Sequence, residues 1–251
     1  MDDAVIIITG AGNGLGFHMA DALAAKRYRV AALDVSGENL ASLTADHPDN
    51  LHYYRCDVSD EEQVRAAVRA VVNEWKRIDV LVNNACLAVF RPFEERTIDD
   101  MRREFEVNCF GYLRMIAAVL PYMKVQGRGI IHNVSSAVGL TGFPGVCGYA
   151  ATKGAIEALT RTLALELVGY GICVNLIHPP LMHTKSAAPL GVPSEAMEDP
   201  ARVAKKLAAK ILSRRPVITP DLRTALYVRF ARRYPDAVGR LLGRMSRRAA
   251  G

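Results

Sequence analysis

The sequence predicts an α/β fold: one doubly wound parallel sheet with helices on both faces. Three observations predict it. Short β-branched runs alternate strictly with longer amphipathic stretches. The runs are apolar nearly throughout, as strands covered on both faces are. A glycine-rich turn joins the first run to the first helical stretch.

Strands are expected at Ala4–Thr9, Tyr28–Asp34, Leu51–Cys56, Ile78–Val82, Gly129–Val134 and Ile172–Ile177. Between them, Gly14–Lys26, Gly37–Ala45, Asp60–Lys76, Thr97–Gln126 and Tyr149–Tyr170 read as helices. Each connection is long enough to cross over the sheet, which keeps the strands parallel. A last short strand is expected near Pro216–Thr219, followed by a helical tail. No repeat or linker interrupts the pattern. The expectation is one domain, residues 1–220, carrying a basic amphipathic helical extension, residues 221–251.

Half of the 251 residues are hydrophobic and 23% are charged, enough apolar material for a sizeable core. The five cysteines are an odd number, and neither CxxC nor HExxH occurs, so neither a disulfide framework nor a metal site is indicated. The first strand begins at Ala4 and no 18-residue apolar stretch follows, so we expect no signal peptide and a cytoplasmic, reduced setting. The net charge of +6 is unevenly spread. From Arg202 to Arg248 fourteen Lys and Arg face two acids, Asp221 and Asp236, which leaves the rest of the chain at −6.

The first strand runs into Thr9-Gly10-Ala11-Gly12-Asn13-Gly14-Leu15-Gly16. A helix starting there points free N–H groups and its positive end at whatever lies above the turn. Glycines let a pyrophosphate approach the backbone. The spacing is GxxxGxG, because Leu15 stands where the strict GxGxxG form needs its last glycine. Asp34 closes the second strand, eighteen residues after Gly16. A carboxylate there accepts both adenosine-ribose hydroxyls and repels a 2′-phosphate. No Arg or Lys stands at Asn13, Val35 or Ser36, so NAD(H) is favoured over NADP(H). Further along, Tyr149 and Lys153 fall at i and i+4, on one helix face. A phenol titrates near pH 10 in about its free state, and a cation beside it favours the phenolate.

In these motifs and their order the sequence resembles the classical short-chain dehydrogenase/reductase family, with its Rossmann fold, over about Val5 to Thr184. The turn Thr9–Gly16 is followed by Asp57-Val58, Asn83-Asn84-Ala85, Val107-Asn108, Ser135-Ser136 and Tyr149/Lys153. The resemblance implies catalysis by Ser136, Tyr149, Lys153 and Asn108. Tyr149 would exchange a proton with the substrate oxygen, and Ser136 would hydrogen-bond that oxygen. Lys153 would hold the nicotinamide ribose and depress the tyrosine pKa, and Asn108 would anchor a water leading from Lys153 to solvent. Ser135 is expected to be structural. The cofactor would lie against Gly10, Asn13, Gly14, Leu15, Gly16, Asp34, Asp57, Val58, Asn83, Ala85, Tyr149, Lys153 and Thr184. Two departures bear on the cofactor loops: Cys86 stands where the family's NNAG has glycine, and Pro179-Pro180 replaces its Pro-Gly. His132, His178 and His183 have no metal-ligand spacing and read as packing residues.

The implied activity is NAD(H)-dependent hydride transfer between nicotinamide and a secondary alcohol or ketone. The alternative is a non-catalytic NAD(H)-sensing protein of the same fold. Phe90, Phe93, Val138, Leu140, Phe143, Met182 and the segment Lys185–Asp199 are the candidate substrate lining, mostly apolar, which points to a bulky apolar substrate. A homodimer or homotetramer is expected, and no nucleic acid. In the tail, Val238, Leu241, Leu242 and Met245 form one stripe opposite Arg240, Arg244, Arg247 and Arg248. That pattern suits docking on the chain's own domain, or peripheral contact with an anionic membrane.

Overall fold

The computed structural model describes residues 3–184, 187, 190, 195 and 197–249, with side chains up to Arg244. Seven parallel strands form one sheet in the order β3-β2-β1-β4-β5-β6-β7. They are β1 Val5–Thr9, β2 Arg29–Asp34, β3 Leu51–Arg55, β4 Val80–Asn83, β5 Gly129–Val134, β6 Ile172–Ile177 and β7 Val217–Ile218. The chain winds outward from β1 to β3, then returns to lay β4 on the other side of β1. The carboxyl ends of β1 and β4 therefore flank the crevice where open α/β sheets bind ligands.

Strand alternation divides the core into two layers. Ile6 and Ile8 face α1 (Gly14–Ala24) and a later helix, where they meet Met19, Leu23, Val203 and Leu207. Val5 and Ile7 face α3 (Glu61–Trp75) and α5 (Gly111–Gln126), against Val68, Val71, Met115 and Val119. Both faces of β1 are fully buried, which is why it reads as a continuous apolar run. The short α2 (Leu40–Asp46) covers the β2–β3 edge through Leu40 and Leu43.

Three elements depart from the sequence reading. The single helix expected over Thr97–Gln126 is α4 (Ile98–Phe105), a π-helical turn (Glu106–Phe110) and then α5. A short α6 (Val138–Thr141) leads into the long α7 (Cys147–Leu167). An unanticipated α8 (Pro200–Ala208) starts with Asp199 capping the N–H of Ala201, and buries Val203, Ala204, Leu207 and Ala208 beside α1. The tail is a helix pair, α9 (Leu222–Arg233) and α10 (Pro235–Ala249).

The tail stripe is split by its contacts. Val238 is buried, and Leu242 faces the domain. A Cβ on Gly239 would stand 2.4 Å from the Thr141 carbonyl, so the missing side chain is what lets α10 lie against α6. Leu241 points to solvent instead. Met245, Arg247 and Arg248 have side chains outside the described residues. Among the described residues no helix is long and apolar enough to cross a membrane.

Candidate active site

A cleft of about 710 Å³ opens above the carboxyl ends of the strands. Its dinucleotide side is built by the turn after β1. Gly10 has φ +64° and Gly14 φ +52°, both in the left-handed region. A Cβ on Gly10 would lie 2.7 Å from Ala85 Cα, and one on Gly16 only 2.3 Å from the Gly10 carbonyl. Gly16 thus serves close packing within the turn, whereas Gly10, Asn13, Gly14 and Leu15 line the cleft.

Two side chains brace this turn. The Thr9 hydroxyl accepts from the N–H groups of Asn84 and Ala85, each at 3.0 Å. The Asn84 amide donates back to the carbonyls of Thr9 and Gly10 at 3.0 and 3.1 Å. At the far end Asp34 accepts from the Gly12 N–H at 2.8 Å and the Ser36 N–H at 3.1 Å. Its carboxylate lines the cleft with acceptor capacity left over.

The other expected cofactor residues lie around this core. The Asn83 side chain turns away from the cleft into the sheet, donating to Asn133 Oδ1 at 2.9 Å. Strand alternation gives the cleft to its neighbour Asn84 instead. Asp57 accepts from the N–H and hydroxyl of Ser59. Val58 is buried against Gly111, where a Cβ would meet it at 2.8 Å. Thr184 lines the cleft over Gly14; its methyl would stand 3.4 Å from a Cβ there. Cys86 opens into the cleft and lies outside the left-handed backbone region, so its side chain is tolerated without strain. Pro179 and Pro180 both line the wall, with trans peptides.

Ser136, Tyr149 and Lys153 meet on the opposite wall. Ser136 follows β5, and Tyr149 and Lys153 stand one turn apart on α7. The Ser136 hydroxyl lies beside Tyr149 on that wall. Lys153 is 1% exposed, with its Nζ 5.6 Å from the centre of the Tyr149 ring. It donates to the Val134 carbonyl at 2.7 Å and to the Tyr112 hydroxyl at 3.3 Å. These two anchors were not visible in the motif, because they come from β5 and α5.

Burial raises the Tyr149 pKa above the ordinary phenol range; the Cys86 thiol adds to this, and the neighbouring Ser136 hydroxyl opposes it. Burial also lowers the Lys153 pKa, with Cys86 and Cys109 opposing. Burial is thus the largest influence on both groups, disfavouring the phenolate and the ammonium alike. Asn108 is fully buried. In the π-helical turn its side chain clamps Leu87, accepting from the N–H and donating to the carbonyl at 2.7 Å each, and donates to Thr152 Oγ1 at 3.1 Å. These bonds hold the Cys86–Leu87 loop against the turn.

On the substrate side Phe90, Val138, Phe143 and Met182 line the cleft as expected from sequence; Phe93 and Leu140 do not. Phe93 is exposed on a 3₁₀ turn (Phe93–Glu95). Of the segment Lys185–Asp199, Ala187, Leu190 and Glu198 line the cleft, and 185, 186, 188, 189, 191–194 and 196 lie outside the described residues. The missed part of the wall is the tail, which contributes Arg223, Thr224, Tyr227 and Leu242. Among the described residues no three His, Cys, Asp or Glu side chains gather as a metal-holding group.

Comparisons with known proteins agree with this architecture. A family model described as short chain dehydrogenase matches residues 4–193. The chain is 36% identical over 201 residues to the 3-oxoacyl-(acyl-carrier-protein) reductase FabG of Thermotoga maritima, covering 79% of this chain and 81% of that one. A short-chain dehydrogenase from Streptomyces avermitilis superposes with TM-score 0.80 at 30% identity, over 91% of each chain. A 3-ketoacyl-(acyl-carrier-protein) reductase from Brucella melitensis, complexed with NADH, gives 0.78 at 27% identity, over 86% of this chain and 94% of that one. A match of that extent makes this chain a member of the short-chain dehydrogenase family of oxidoreductases.

Proposed function

We propose that the chain is an NAD(H)-dependent dehydrogenase or reductase that interconverts a secondary alcohol and a ketone on a bulky apolar substrate. One observation carries the reading: Ser136, Tyr149 and Lys153 share a cleft with the bare glycine turn and Asp34. The fit to a dinucleotide rests on that turn, where side chains at Gly10 or Gly14 would crowd the floor. Gly10, Gly14 and Leu15 would face the pyrophosphate, Asp34 the adenosine ribose, and Lys153 and Thr184 the nicotinamide end. The NADH in the Brucella relative supports a nicotinamide cofactor.

When bound, that cofactor supplies or accepts the hydride. The chain's own groups handle the oxygen. Tyr149 holds a proton on Oη and gives it to a carbonyl oxygen, or takes it back from an alcohol in the reverse direction. Ser136 donates a hydrogen bond to the same oxygen and stabilises charge developing there. Lys153 is the buried cation beside them; two of its protons are engaged by Val134 and Tyr112, leaving a third for a ribose hydroxyl. Asn108 acts as a positioning residue for the loop at Leu87. Phe90, Phe143, Met182, Tyr227 and Leu242 give the substrate end its apolar character.

Asp34 favours NAD(H), since its carboxylate repels a 2′-phosphate. Arg55 stands opposite Asp34 in the β2–β3 ladder and is the cation that would blunt this preference. The test is binding and turnover with NADH and NADPH over a panel of ketones and secondary alcohols. Turnover with NADH is expected, and Asp34→Ala narrows the gap between the two cofactors by about tenfold. Tight NADH binding without turnover of any panel member would overturn the enzymatic reading; equal use of both cofactors by the unaltered chain would overturn the role given to Asp34.

A further inference from the structure

α9 buries Thr224, Val228 and Ala231, and turns its other side outward. On that side Leu222 is 73% exposed, Leu226 58% and Phe230 54%, with Tyr234 just beyond the helix at 49%. The four are spaced by four residues, so they form one ridge along the helix. Phe230 and Tyr234 pack with tilted rings, their centres 5.1 Å apart. Leu241 on α10 is exposed as well. Scattered exposed leucines need no explanation, but a ridge of large apolar side chains on one surface helix does. Arg229 and Arg233 lie on the same outward side, and neither has a carboxylate partner among the described residues; Arg233 instead stands over the Tyr234 ring at 5.3 Å.

We infer that the outward face of α9 is a docking surface for an anionic lipid bilayer, on which the protein lies without spanning it. Charge selects this occupant. Along α9 and its cap, Arg223, Arg229, Arg232 and Arg233 outnumber the one acid, Asp221, so the ridge sits in a positive field. A second copy apposed by a two-fold axis would set Arg229 and Arg233 against their own equivalents, an unfavourable like-charge contact. A bilayer of anionic headgroups accepts the arginines at the interface and the ridge in the acyl boundary. The contact is one helix face deep, consistent with the lack of a membrane-crossing helix among the described residues.

The face also has a consequence for the site. Tyr227 lies on the same helix, is 39% exposed, and lines the cleft. Docking would therefore bring the cleft mouth to the lipid surface, the route by which a bilayer-dissolved substrate would enter. This last step rests on the dehydrogenase reading above; the lipid surface does not, and it is tested without turnover.

The experiment is co-sedimentation of the full chain with vesicles of phosphatidylglycerol and phosphatidylcholine, and with phosphatidylcholine alone. Binding to the anionic vesicles is expected to be about tenfold or more tighter, and to weaken as salt rises. Leu226→Glu with Phe230→Glu should reduce it by about tenfold or more while thermal stability and NADH binding hold. Arg229→Gln with Arg233→Gln should reduce binding to anionic vesicles and leave binding to neutral ones unchanged. Absence of sedimentation with the anionic vesicles overturns the proposal, as does unchanged binding by the double glutamate variant. If that variant instead converts a larger assembly into a smaller one with no change in vesicle binding, the face belongs to a second copy and the lipid assignment fails.

Discussion

Ser135 and Ser136 follow one another after β5, yet their hydroxyls enter two buried clusters of opposite design. Ser136 lines the cleft with Tyr149 and Lys153. Ser135 turns the other way and donates to Glu157 Oε1 at 2.8 Å. Glu157 also takes His178 Nε2 at 2.6 Å, Arg232 at 3.0 Å and Arg161 at 3.3 Å. Both clusters hang on one ridge of α7, since Tyr149, Lys153, Glu157 and Arg161 recur every four residues. The Glu157 cluster is closed: the carboxylate is saturated, and it ties β5, β6, α7 and the tail helix α9 together. The Lys153 cluster is open: a buried ammonium has two neutral acceptors and no carboxylate. An uncompensated buried charge lowers stability, and such charges gather where a ligand completes the set. The closed cluster holds the scaffold, and the open one is left for chemistry.

The comparison breaks most sharply at the open cluster. Tyr149→Phe is expected to lower kcat by about 10³-fold or more, with NADH affinity and the unfolding midpoint unchanged. Ser136→Ala should cost about 10²-fold by the same measurement. Retained turnover in the phenylalanine variant would remove the acid/base role.

At the closed cluster the loss falls on stability. Glu157→Ala should cost about 3–5 kcal/mol in chemical denaturation, because His178 and Arg232 lose their common acceptor. Its folded pKa is lowered by His178, Ser135 and Arg232 against the opposing effect of burial, so the stabilisation is present at neutral pH and disappears as pH falls through that lowered value. An alanine variant as stable as the parent would show that the cluster is ornamental.

A third buried group sharpens the contrast by being neutral. Burial pushes His132 down to about 4 from 6.5, although its hydrogen bond to the Ile211 carbonyl opposes this. The unfolded chain takes up a proton below 6.5 and the folded one does not until about 4. Stability should therefore fall by about 3 kcal/mol across that interval and level off below it. Denaturation midpoints measured over this range check it, and His132→Asn should remove that part of the slope. The smallest expected effect is Ser135→Ala, about 1 kcal/mol of stability with turnover kept. Loss of turnover there instead would exchange the roles of the two serines.

Much of the fold was legible because it is written in local periodicity. β5 and β6 have the bounds their apolar runs predict, and the turn from Thr9 to Gly16 joins a strand to a helix as its glycines require. Helix α8 was also written locally, since Asp199-Pro200 ahead of Val203, Ala204 and Leu207 is a start signal with an apolar stripe. The π-helical turn at Asn108 was not legible, because a single inserted residue in a long helix leaves the hydrophobic pattern almost unchanged. The tail was half legible: its amphipathic character is plain and left docking and outward contact both open for α10, which gives Val238 and Leu242 to its own domain, whereas the exposed ridge on α9 was not read.

By itself the amino-acid sequence determined the parallel sheet, the bare turn facing the cleft, the carboxylate closing β2, and a tyrosine and lysine one helical turn apart. These depend on spacings of a few residues, which strand and helix geometry convert directly into position. Only the tertiary structure decided that Asn84 rather than Asn83 braces the turn, that Lys153 rests on Tyr112 and Val134, and that the tail walls the cleft. Those outcomes depend on which neighbour a side chain meets across the sheet or between helices, and such neighbours lie tens of residues away along the chain.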